Sequence, residues 1–489
     1  MTTHNKRTRL MHSLTTRTDA HGNSVSGEQA AIDRYDAAID HLLAYRNEFL
    51  DAMTSLVDDD PDFVMGLVLA AYMSLTSTDA IDLEGARQLT GQLDLLALND
   101  RETVHRAVLQ AWTAGDWHGA ARLLDELLAS WPADLLALFV GHQLDFFLGD
   151  TSNLRDRVGR SLPYIDPAHP HHGFAQGMYA FGLEETGNYR LAEHHGLAAV
   201  DRNHDDVWAI HAVTHVYEMQ GRIDDGIRFL RNRQAGWGVG NLFTVHNWWH
   251  LALYLLEAGH TTESLTIYDR QIHYDQSAGV PLEMLDASAL LWRLHLDRVD
   301  VGGRFDPLAD AWATRATAEP WYVFNDLHAV MALAGAGRLD DARAVIDRLA
   351  AYVAAAPRTS NVHMTAAVGL PASRGVLAHV EDRHADVVAE LMPIRTTLAR
   401  FGGSHAQRDA LQRTLVDSAI RSGQLQLAGR LVDERLAVRE TSVWSWQRRG
   451  QILTASGDTV AGDRANKQAA AHAARFTAAA AEPTSPIAD

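Results

Sequence analysis

Two short segments carry the residues best suited to chemistry. One is His211-Ala-Val-Thr-His215-Val-Tyr-Glu218, the other His246-Asn247-Trp248-Trp249-His250. Each holds a histidine pair at i, i+4, which on a helix sets both imidazoles on one face, one turn apart. Neutral imidazole suits Zn, Fe, Cu or Ni, and this spacing is a workable bidentate arrangement for a divalent transition metal. Glu218 then completes the site or acts as general base on a metal-bound water. Without metal, histidine near neutral pKa serves as acid or base, with Glu218 orienting it. The chain has 26 His and no Cys, so imidazole and carboxylate are its strong ligands and thiolate chemistry is excluded.

These residues need a scaffold, and a repeat supplies it. A Gly followed five positions later by a small residue recurs at Gly115/Ala120, Gly187/Ala192, Gly221/Gly226, Gly259/Ser264, Gly337/Ala342 and Gly423/Ala428. Gly187 and Gly221 are 34 residues apart and Gly221 and Gly259 are 38 apart, close to the tetratricopeptide period. Each unit reads as a helical hairpin. The Gly ends the first helix at positive φ, and the small residue lets the second helix approach. Both histidine pairs fall on first helices, His215 six residues before Gly221 and His250 nine before Gly259. At about 100° per residue, His211, His215, Glu218, His246 and His250 share an arc of about 120° once adjacent hairpins are superposed. Trp249 belongs to that arc, and His328, nine before Gly337, takes the angular position of His250. Stacked hairpins would turn the arc into a concave groove.

Helical spacing continues through the chain, and alternating β patterns are absent. The expected fold is all-α: one α-solenoid of degenerate tetratricopeptide-like hairpins over residues 18–475, between disordered segments 1–17 and 476–489. Residues 467–481 are Ala-rich and helix-prone, whereas 273–320 and 351–372 read as long irregular connections. His169-Pro170-His171-His172 reads as a solvated turn, and Ser404 as an N-cap. Lys+Arg total 43 and Asp+Glu 62, a formal charge of −19. Such a balance disfavours phosphate backbones and anionic lipid, so neither a nucleic acid nor a membrane is expected as partner. It suits neutral or cationic ligands. The lack of cysteine fits the cytoplasm.

Further stretches give a family resemblance: Asp62-Phe63-Val64-Met65-Gly66, Gly177 to Thr186, His-x-x-x-His-x-x-Glu-Met at 211–219, Asn325-Asp326-x-His328, Val368-Gly369-Leu370-Pro371, and Gly402-Gly403-Ser404 with Gln407-Arg408-Asp409. In this order, from about Thr18 to Ala455, the chain resembles the tetratricopeptide repeat protein 38 family. The resemblance implies a single helical solenoid and leaves the activity open. It adds Asn247, Asn325, Asp326, Gln407 and Arg408, of which Asp326 points away from the arc and suits a helix cap.

The reading that follows is an enzyme acting on a small polar molecule by metal-assisted or histidine-based acid–base chemistry. Its metal ligands are His211, His215, His246 and His250. Glu218, His328 and Arg408 are its catalytic groups, and Asn247, Trp249, Asn325 and Gln407 contact substrate. The alternative is a scaffold gripping a protein or peptide in the same groove. A third reading makes the histidines a structural network.

Overall fold

The computed structural model describes residues 16–274, 277, 279–315 and 319–480. Helical hairpins follow one another along almost the whole of it. Each turn carries the expected glycine: Gly115, Gly187, Gly221, Gly259, Gly337 and Gly423 all sit at positive φ, between 67° and 86°. Several of the helices start on an aspartate whose carboxylate accepts a backbone N–H of the first turn, as Asp116, Asp150 and Asp206 do. The fold is thus an α-solenoid of tetratricopeptide-like hairpins, with two three-residue strands, Thr16–Thr18 and Ser24–Ser26, paired antiparallel with Arg17 opposite Val25.

Two stretches expected to be irregular are helical. Residues 273–320 contain Pro281–Leu296 and Phe305–Ala313. Pro281 opens its helix, where a missing N–H costs nothing. In 351–372, Ser360–Met364 runs through a π-helical turn, Thr365–Gly369, into Leu370–Val380. The wider turn accommodates Pro371 without ending the helix. The last helix, Thr459–Ala480, extends past the boundary set at 475, with Phe476 buried and Arg475 on Asp224 at 2.9 Å. The remainder of the expected disordered segments, 1–15 and 481–489, lies outside the described residues.

The solenoid curls back on itself. The N-terminal hairpins touch the 315–361 region: Asn325 donates to the Thr78 carbonyl at 3.0 Å, and the Ser360 N–H to that of Gly115 at 2.8 Å. The middle hairpins touch the 405–475 region: the His405 N–H donates to Glu185 at 2.8 Å and the Thr441 hydroxyl to the Gly221 carbonyl at 2.6 Å. At the seam a Cβ on Gly402, φ 88°, would lie 2.4 Å from the Phe147 carbonyl oxygen. Only glycine fits that approach. Closure converts the expected open groove into an interior. The Val207–Met219 helix is consequently buried at every one of its 13 positions.

Candidate metal centre and its cavity

The helix Val207–Met219 supplies His211 and His215, and Thr244–Glu257 supplies His246 and His250. One nitrogen or more from each of the four rings comes within 4.8 Å of the others. His246 Nε2 lies 3.1 Å from His211 Nε2 and 3.2 Å from His250 Nε2. The rings are packed edge to face, with centroids 4.4 Å apart for His211 and His215 and 4.5 Å for His215 and His250.

Carboxylates stand behind three of the rings. His246 Nδ1 donates to Asp286 Oδ2 at 2.7 Å, and His250 Nδ1 to Glu218 Oε2 at 3.0 Å. Glu184 Oε2 is 3.5 Å from His215 Nδ1. The two hydrogen bonds, to His246 and His250, fix those tautomers. A neutral His246 or His250 that donates from Nδ1 has a bare lone pair on Nε2. The two lone pairs then face each other across 3.2 Å. A positive charge between them, a proton or a metal ion, removes that repulsion. Burial, reinforced by the neighbouring imidazoles, holds His211, His215 and His250 well below the ordinary histidine range. Imidazolium is therefore disfavoured here, and a shared metal ion suits the geometry. His211 Nδ1 and both nitrogens of His215 are buried without a hydrogen-bond partner, as ligand atoms would be.

A cavity of about 280 Å³ opens against this cluster, with His211 and His246 in its wall. Its lining is overwhelmingly apolar. Tyr45 stacks on Trp208 with ring centroids 5.6 Å apart and 3° between planes, and Phe243 packs on both. Phe139 and Phe181 extend the aromatic wall. Tyr45 adopts a φ of 53°, unusual for a bulky residue. It is held there by the Leu242 N–H on its carbonyl at 2.7 Å and by Gln143 donating to its hydroxyl at 3.0 Å. Polar groups are few: Glu283, Asp286, Gln143, Ser404 and Gln407 among them. The lining contrasts with the small polar ligand expected from the sequence.

The other expected site residues are dispersed. Trp249 stacks on His246 at 5.3 Å and 20°, fully buried. Asn247 points back to the Val207 carbonyl at 3.4 Å. Glu218 holds His250, and so positions a ring. Gln407 reaches the cavity wall, but its carbonyl accepts the Ser404 N–H and closes a capping box. Arg408 is ion-paired with Glu185 at 3.2 Å. His328 is outside the four-ring set: its Nδ1 donates to the Phe324 carbonyl at 2.7 Å. Asn325 and Asp326 lie in a separate depression with Thr78 and Arg315. Asp326 does not cap its helix, which begins after Tyr322. It pairs with Arg348 at 3.2 Å.

Periodicity could have found Glu184, three residues before Gly187 as Glu218 is before Gly221. Asp286 and Glu283 lie in the stretch taken as irregular, with no glycine anchor to index them. His169 and His171 are not a solvated turn. They pack on His21, and His171 is 5% exposed. There His171 Nε2 donates to Asp40 and its Nδ1 accepts from His21 at 2.9 Å. This trio satisfies itself by hydrogen bonds, unlike the four-ring cluster.

No family model matches the sequence. Solved helical-repeat structures are similar in architecture. Human IFIT1, a dimer with PPP-AAAA, is 11% identical over 96% of this chain and 97% of its own, with a TM-score of 0.41. Yeast Tom70 is 11% identical over 92% and 96%, with a TM-score of 0.32. The APC/C Cut9–Hcn1 hetero-tetramer is 11% identical over 92% and 90%, with a TM-score of 0.28. All are tetratricopeptide-type superhelices. One expectation is corrected here. IFIT1 is solved with the RNAs PPP-AAAA and m7Gppp-AAAA, so a net charge of −19 is no ground for excluding a nucleic-acid partner. Net charge sums every ionisable group of the chain, whereas a ligand meets only the lining of its own site. Among the described residues, no helix is long and apolar enough to cross a membrane.

Proposed function

We propose that this chain is a helical-repeat enzyme whose four-histidine centre, His211, His215, His246 and His250, binds a transition metal and acts on a ligand in the adjoining cavity. The carrying observation is the pair of Nε2 atoms of His246 and His250 at 3.2 Å, each ring held from behind by a carboxylate. Four imidazoles fill a tetrahedral zinc site. Iron, nickel or copper, with five or six ligands, keeps a position open toward the cavity. The metal would supply Lewis acidity or redox capacity. The chain's own groups orient His246 and His250 through Asp286 and Glu218 and exclude water with the aromatic wall. We also place the chain in the tetratricopeptide repeat protein 38 family, as one superhelical unit, in the cytoplasm.

Elemental analysis of untagged protein purified without chelator tests the centre. About one transition-metal ion per chain is expected, falling below a tenth in His215→Ala and His250→Ala. No metal, or unaltered content in both variants, rejects it.

A second reading is a scaffold whose cavity seats an apolar side chain of a partner. The observation favouring it is the cavity mouth, where Leu50, Leu242 and Leu282 are 49%, 40% and 39% exposed. A stoichiometric protein partner lost on Leu242→Glu, with metal content unchanged, would support this reading over the first.

A further inference from the structure

The cavity wall contains one charge the fold does not answer. Glu283 stands on the first turn of Pro281–Leu296, half-buried beside the aromatic wall. Among the described residues no Arg, Lys or His pairs with it, although Arg side chains elsewhere are mostly engaged with carboxylates. The charge nearest to it in effect is another carboxylate, Asp286, itself committed to His246. Burial, with Asp286, raises the Glu283 carboxyl above its ordinary range. A partly desolvated carboxylate gains most from an arriving cation. Tyr45, Trp208 and Phe243 pack together in the same cavity wall and offer an apolar surface for the body of a ligand.

We infer that the cavity takes an amphiphilic amine, its alkyl or aryl body along the aromatic wall and its ammonium on Glu283. A neutral molecule of the same shape would leave Glu283 unanswered, and a carboxylate would face both Glu283 and Asp286. The ligand's body would then lie against His211 and His246, the side on which the proposed metal acts. The inference deepens the proposed function by naming a substrate class. Its geometry needs only the cavity, so the two can fail separately.

Octylamine, 1-octanol and octanoate, three molecules with one chain and different heads, test it by calorimetric titration of the full-length protein, metal-loaded and chelator-stripped. The expected result is octylamine tighter than octanol by about tenfold or more in both forms. Glu283→Gln should lower amine affinity to that of the alcohol and leave alcohol binding unchanged. Glu283→Asp should keep the preference, and covers the case in which the amide variant fails to fold. Equal binding of amine and alcohol overturns the inference. So does octanoate binding best in the metal-loaded form, which would put the head group on the centre and leave the metal reading standing. No binding of any probe to protein of normal metal content also overturns it. A Glu283-dependent amine preference in protein that holds no metal upholds the inference and rejects the metal centre.

Discussion

At the scale of single residues, the carboxylates behind the rings do as much as the rings. An imidazole free to rotate or change tautomer presents its lone pair part of the time. Asp286 on His246 at 2.7 Å removes that freedom. Asp286→Asn can donate as well as accept and so loses the tautomer selection. Metal affinity is expected to fall 10- to 100-fold, measured by competition with a chromophoric chelator. Unchanged affinity would mean that Asp286 does not orient the ring. Histidines away from the centre set an acid limit. His142 is pushed down to about 3 and His328 to about 4, chiefly by burial. Unfolded histidine titrates near 6.5, so below that pH the unfolded chain binds protons the native chain does not. Stability is complete above about 6.5 and falls as pH drops, by about 1.4 kcal/mol per pH unit for each such histidine. For His328 the loss continues to about 4. Urea midpoints between pH 4 and 7 should show a shallower acid slope in His328→Gln than in the parent chain. An identical slope would count against the buried, neutral state of this ring.

At the scale of elements, the helix His405–Arg421 shows how a motif suggestive of binding can be a cap. Ser404 accepts the Gln407 N–H at 3.2 Å, and Gln407 returns the contact to the Ser404 N–H at 2.9 Å. Ser404→Ala is expected to cost about 1 kcal/mol of stability without altering metal content, read by denaturant midpoint and elemental analysis. Gln407→Ala should likewise change stability more than ligand affinity. The hairpins, and the common face of the two histidine helices, were legible because helix period and turn glycine are local properties. A helix starting at Pro281 was not, since its stretch offers neither a glycine anchor nor a clear apolar stripe: the helix is buried along most of its length.

At the scale of the whole molecule, closure of the superhelix makes the cavity. The seam at Gly402 is one of its tight points: an added Cβ would also lie 2.2 Å from the Tyr322 hydroxyl. Gly402→Ala combines that clash with strain at φ 88° and should destabilise by more than about 2 kcal/mol. Hydrogen exchange should quicken on both sides of the seam, around Phe147 and Tyr322, before it does in the histidine helices. Uniform exchange would show that the seam does not act as a separate latch.

The amino-acid order alone determined that the chain forms helical hairpins and that two of them turn paired imidazoles the same way. Both follow from rotation per residue and from glycine's access to positive φ. Tertiary structure decided what stands behind and in front of those imidazoles. Asp286 meets His246 across 40 positions, and Phe147 meets the Gly402 turn across 255. Such pairings leave no periodic trace in a single sequence, because they are set by the summed small rotations between successive hairpins. That sum also turned an expected polar groove into an enclosed aromatic chamber.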